Sequence, residues 1–146
     1  TGHMVVDKRP RGVAFSPDGA TAYVTAEVGG TLSIVDASAR RVSATITFPA
    51  GARPMGIAVA PDGSRVYVTT GRGGTLAVVD PVAKRIVGTV AVGPRPWGVA
   101  LSADGRRLYT ANGPSGDVSV VDAGTLSVVK RIPAGKMPWG VAVGSR

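Results

Sequence analysis

Cysteine is absent from this chain, and histidine and glutamate each occur once. Without cysteine there can be no disulfide framework and no thiolate metal site. The single histidine, His3, stands in Thr1-Gly2-His3-Met4, which reads as the remnant of a cleaved expression tag and is set apart from the fold. A Ser-His-Asp or Cys-His arrangement therefore has no base. The one glutamate is Glu27. Long apolar runs are missing as well: no stretch nears the roughly 18 residues that a membrane helix requires. No window joins a helical apolar period to a capping residue, so helices are not expected.

Basic residues, by contrast, are plentiful. Lysine and arginine number 17 against nine acidic residues, a net charge of +8. Most of the acidic residues stand at fixed repeat positions, while the basic ones fill variable positions. No arginine-rich run carries interleaved aromatics, so nucleic acid is not the expected partner.

The chain repeats itself, and the repeat sets the architecture. Arg9-Pro10-Arg11-Gly12-Val13-Ala14 recurs as Arg53-Pro54-Met55-Gly56-Ile57-Ala58, as Arg95-Pro96-Trp97-Gly98-Val99-Ala100, and as Met137-Pro138-Trp139-Gly140-Val141-Ala142. Behind the first three copies come Pro17-Asp18-Gly19, Pro61-Asp62-Gly63 and Ala103-Asp104-Gly105. A tyrosine follows each turn (Tyr23, Tyr67, Tyr109), and a later aspartate closes each unit's third strand (Asp36, Asp80, Asp122).

Four strands are expected per unit. In the first unit they are Gly12–Ser16, Thr21–Ala26, Thr31–Asp36 and Val42–Phe48. The last is matched by Ile86–Val92 and Val128–Ile132. Pro-Asp-Gly suits the tight turn after the first strand, because proline presets φ and glycine accepts a positive one. The aspartates are read as turn-orienting groups rather than catalytic acids. Four short antiparallel strands per unit describe a β-propeller blade. The expected fold is all-β, an incomplete propeller. Residues 1–4 are the tag remnant, 9–52, 53–94 and 95–136 are blades, and 137–146 opens a fourth with a strand over Gly140–Val143. Ser145-Arg146 can be the natural end of a larger propeller, whose earlier blades would then precede Met4.

Tyr23-Val24-Thr25-Ala26, Tyr67-Val68-Thr69-Thr70 and Tyr109-Thr110-Ala111-Asn112, taken with the Arg-Pro-x-Gly stretches, resemble the YVTN-repeat propellers of bacteria and archaea. That resemblance implies a surface-layer or pyrroloquinoline-quinone-associated type of propeller in the periplasm, outside the cell or at its surface. Lactonases and quinoprotein dehydrogenase subunits are related propellers.

The loops between fourth and first strands are expected to gather on one face, near the channel. The varying x residues there are Arg11, Met55, Trp97 and Trp139, preceded by Arg9, Arg53, Arg95 and then Met137. Loops carrying Glu27, Arg72 and Asn112 should join them. Together they would form a cationic, partly aromatic rim suited to anions, sugars or peptide side chains. The competing account packs the arginines across neighbouring blades and fills inter-blade gaps with the tryptophans. No catalytic residue, cofactor or metal is assigned. Asn112, Ser115 and Asp117 could offer oxygens to calcium, but the calcium-loop pattern is absent.

Two functions compete. The first is a non-catalytic binding or scaffold propeller that takes a protein or small molecule at its loop face. The second is a fragment of a lactonase-like or quinoprotein-dehydrogenase-like enzyme. Three blades cannot close a ring, so the chain is also expected to pair with itself, as a dimer.

Overall fold

The computed structural model describes residues 3–144. The expectations resting on Thr1-Gly2 and on Ser145-Arg146 lie outside the described residues. Among those residues there are twelve strands and no helix long and apolar enough to cross a membrane. Blade one holds β1 (Pro10–Phe15), β2 (Thr21–Ala26), β3 (Thr31–Asp36) and β4 (Arg41–Thr47). Blade two holds β5 (Pro54–Val59), β6 (Val66–Thr70), β7 (Thr75–Asp80) and β8 (Arg85–Ala91). Blade three holds β9 (Pro96–Leu101), β10 (Arg107–Asn112), β11 (Asp117–Asp122) and β12 (Ser127–Pro133). Each blade is one four-stranded antiparallel sheet in sequence order.

The strands form where small turns permit and β-branched residues alternate. Asp18, Asp62 and Asp104 accept the amides two residues on, from Ala20, Ser64 and Arg106, at 2.9–3.0 Å. Asp36, Asp80 and Asp122 likewise accept from Ala39, Ala83 and Thr125 at 2.8–2.9 Å, closing the turn into each outer strand. Inner strands begin at the proline of Arg-Pro-x-Gly, two residues earlier than the expected Gly12, because Pro10 and Pro54 already face the last residue of β2 and β6.

Blades stack face to face, and the core lies between them. Between blades one and two, Tyr23, Leu32 and Ile34 meet Val66, Val68 and Val79, with Ile57 and Val59 packed alongside. Tyr67, Leu76 and Val78 meet Leu108 and Val121 at the next junction. The repeated glycine permits this approach. A Cβ on Gly12 would lie 2.7 Å from the Met55 carbonyl oxygen, and one on Gly56 would lie 2.6 Å from that of Trp97.

The fourth copy corrects an expectation. Gly140–Val143 is not a strand among the described residues. It does lie where an inner strand belongs: a Cβ on Gly98 would stand 2.8 Å from Gly140 Cα and 3.1 Å from the Trp139 carbonyl oxygen. A strand, however, is defined by its ladder, and no second strand of a fourth blade is present beside it.

Candidate anion-binding rim

The loops entering each inner strand meet on one face, around an open depression of about 420 Å³. Each loop holds one residue in left-handed backbone: Arg9 at φ 61°, Arg53 at 58°, Arg95 at 50° and Met137 at 53°. None is glycine, and such residues visit this region rarely. The second-to-third-strand loop of the same blade ties the first three down. Glu27 N–H donates to the Arg9 carbonyl at 2.9 Å, Gly71 N–H to that of Arg53 at 2.8 Å, and Gly113 N–H to that of Arg95 at 3.3 Å.

The varying residue after proline is matched to the loop residue beside it. Arg11 Nε donates to Glu27 Oε2 at 2.8 Å. Met55 packs on Gly71, where a Cβ would come within 2.8 Å of its sulfur. The Trp97 ring lies across Gly113, where a Cβ would collide with it. Three chemistries thus fill one repeated position, and in each the opposing residue makes room or supplies charge.

Trp97 and Trp139 stack, with ring centroids 4.2 Å apart and planes at 20°. Trp97 is buried at 9% exposure, whereas Trp139 is 61% exposed. Trp97 is thus held between Gly113 of its own blade and the Trp139 ring, and Trp139 remains largely open to solvent. Arg95 lies over the Trp97 ring at 5.9 Å, within cation–π range.

Charge at the rim is one-sided. Glu27 takes both Arg11 and, at 3.3 Å, Arg9. Among the described residues, Arg53, Arg72 and Arg95 have no carboxylate within ion-pair distance, and all three line the depression. Guanidinium groups keep their charge in any such setting, so the depression carries an uncompensated positive field.

Nine of the ten expected rim residues are brought together here: Arg9, Arg11, Glu27, Arg53, Met55, Arg72, Arg95, Trp97 and Trp139. Asn112 is not, and its assignment to the rim is corrected. It is the last residue of β10, fully buried. Its amide donates to Asp117 at 2.7 Å and to Ser119 at 2.8 Å, and its carbonyl oxygen accepts from Thr110. Asp117 and Ser115 are spent in the same network. No group of three or more metal-ligating side chains occurs among the described residues. Sequence reasoning set Met137 in line with Arg9, Arg53 and Arg95, and the structure places it in the lining, but it did not find the pairing of each x residue with its loop. The pairing was visible only as Glu27, Gly71 and Gly113 standing at one repeat position.

Comparison with known proteins places this geometry. A family model described as the cytochrome D1 heme domain matches residues 17–145. It is that model, rather than a YVTN-repeat one, that matches, so the expected resemblance is met at the level of the propeller. No curated protein sequence matches the chain. Among solved structures, Kuenenia stuttgartiensis hydrazine synthase superposes with a TM-score of 0.86 at 27% identity, over 96% of this chain and 40% of that one. A protein described as a 6-phosphogluconolactonase from Bacteroides uniformis gives 0.80 at 26% identity, over 92% and 43%. The chain thus spans about 40% of the length of the structures it matches.

Heme iron is held by His, Cys, Met or Tyr side chains. No histidine, cysteine or tyrosine lines the depression. Its sulfurs are Met55, buried against Gly71, and Met137, on the C-terminal segment. Arginine is the commonest residue of the lining, and the lining does not fit an iron centre. The model match over residues 17–145 nonetheless covers most of the sequence, and by it the chain belongs to the cytochrome D1 heme domain family.

Proposed function

We propose that this chain is a non-catalytic binding segment of a β-propeller, and that its rim holds a small ligand bearing carboxylate or phosphate groups. The observation that carries the reading is the trio Arg53, Arg72 and Arg95, left without carboxylate partners among the described residues around one depression that also holds a tryptophan stack. Arginine forks suit carboxylate and phosphate, and the exposed Trp139 ring offers a stacking or sugar-binding face. An exported setting goes with this reading, on the strength of the family.

Titration calorimetry with citrate and with 6-phosphogluconate tests it. Saturable binding that weakens with added salt supports the reading. Absence of heat with both, at low ionic strength, contradicts it.

A second reading is favoured by the relatives: the chain contributes blades to a larger propeller enzyme, lactonase-like among them, whose reacting groups lie elsewhere. Turnover of a lactone by this chain alone would replace the binding reading with an enzymatic one.

A further inference from the structure

We propose that a cavity between blades one and two, separate from the rim depression, binds a small monocarboxylate with an apolar body, its carboxylate resting on Arg72. The cavity measures about 470 Å³, the size of a site for a small molecule. One wall is the loop that enters β5, with Phe48, Pro49 and Ala52. The other is blade two, with Ala77 on β7 and Ile86 and Thr89 on β8. Both walls belong to blades that stack on each other within the chain.

The next junction shows what ties such a loop down. The loop entering β9, residues 92–95, is two residues shorter than that entering β5, residues 48–53. At the positions of Thr70, Thr75, Ala77 and Thr89, blade three carries Asn112, Asp117, Ser119 and Arg131. These four form one polar chain. The Asn112 amide donates to Asp117 and Ser119, and Arg131 donates to Ser119 at 3.0 Å. The Ser119 hydroxyl then donates to the Val92 carbonyl oxygen in the loop at 2.7 Å. In blade two the hydroxyls of Thr70 and Thr75 bond each other at 2.7 Å instead, and Ala77 has no polar atom to offer the loop. Shorter side chains beneath a longer loop leave the space open.

The residues around that space decide the ligand class. Phe48, Ala52 and Ala77 are buried, and an apolar group set among them leaves water without breaking a hydrogen bond. The hydroxyls of Thr70 and Thr75 already have partners. Arg72 is the one charged side chain of the lining. It has no carboxylate within ion-pair distance among the described residues. Its fork suits a carboxylate, and a cation would be repelled. One guanidinium matches one anionic group, which separates this site from the arginine-rich rim. The two cavities share Arg72 alone.

Proton–nitrogen correlation NMR of the full chain, titrated with hexanoate, tests this. The amides of Ala50, Gly51 and Gly73, which line the cavity, should shift saturably. Acetate, which lacks the apolar body, should leave them in place. Arg72→Ala should weaken hexanoate about two- to fivefold, whereas hexanol should bind that variant and the wild type alike. Ala77→Leu, or Thr89→Phe at an exposed position, should remove the shifts by filling the space. The heat of citrate binding should survive both, since neither residue lines the rim. Absence of a saturable shift at these amides with hexanoate overturns the proposal. So does a response to acetate equal to that with hexanoate, or one that survives both filling variants. Hexanoate shifts that persist where citrate gives no heat would contradict the rim reading and leave this site standing.

Discussion

The Thr25 hydroxyl donates to the carbonyl oxygen of Met55 at 2.6 Å, across the junction between blades one and two. Thr69 makes the same bond to the Trp97 carbonyl at 3.3 Å, and Ala111 stands at that position in blade three. The same threonines receive the amides of Gly12 and Gly56 at 3.0 and 2.8 Å. One hydroxyl thus serves its own inner strand and the next blade's. Thr25→Val keeps the shape and leaves a buried carbonyl unmet, which costs about 1–3 kcal/mol. Thermal denaturation should show a melting temperature lowered by roughly 2–4 °C per kcal/mol in a chain of this size. An unchanged melt would show that the junction does not depend on this bond.

The two Pro-Asp-Gly turns differ in one respect. Gly19 and Gly63 have φ of 72° and 73°, so any side chain is strained at both. A Cβ on Gly19 meets nothing, whereas one on Gly63 lies 3.3 Å from Pro17 Cδ in the neighbouring blade. Gly19→Ala should cost roughly 1 kcal/mol from backbone strain alone. Gly63→Ala should cost more. Equal losses in chemical denaturation would mean that the turn of blade two is free to move away from blade one.

Trp97 and Trp139 should answer alanine differently. Removing the buried Trp97 ring should destabilise by about 3–5 kcal/mol. Trp139→Ala should stay within about 0.5 kcal/mol while weakening rim binding. Comparable stability losses from the two would place Trp139 in the core and remove it from the site.

Acid should loosen the turns. Hydrogen bonds hold six aspartates below their ordinary value of 3.8: Ser16 first for Asp18, Ser102 for Asp104, and backbone amides for Asp36, Asp62, Asp80 and Asp122. A carboxyl lowered on folding adds stability above its unfolded value and loses it as pH falls through the folded one. The melting temperature should therefore be level near neutrality and decline below about pH 4. Asp122→Asn should flatten that decline, since it removes one such group. A decline centred near pH 6 would point to other groups.

Much of the fold was legible in the sequence because the repeat supplies three aligned copies of each turn. The strands Thr21–Ala26 and Thr31–Asp36 were readable to the residue, flanked as they are by Pro-Asp-Gly, a glycine pair and a closing aspartate. The inner strands start earlier than read because a proline, barred from donating, can still open a strand at a bulge. Gly140–Val143 carries a strand's sequence but lacks a ladder, which no local pattern reveals. Asn112 was placed in a loop by its neighbours Gly113-Pro114. The repeat itself aligned it with Ala26 and Thr70, both buried at the end of a strand, and that was the usable signal. The rim was legible as a list of residues. That Glu27 satisfies Arg11 while Arg53, Arg72 and Arg95 stand apart required the folded loops.

The rim is tested most directly by intrinsic fluorescence, because the chain's two tryptophans are Trp97 and Trp139 and both line the depression. Titrating citrate or 6-phosphogluconate into the chain at low salt should change the emission saturably. Arg53→Ala together with Arg95→Ala should remove that change while leaving the melting temperature within a few degrees of the wild type. Emission unmoved by either anion, or moved equally in the doubly substituted chain, would contradict an arginine-built anion site.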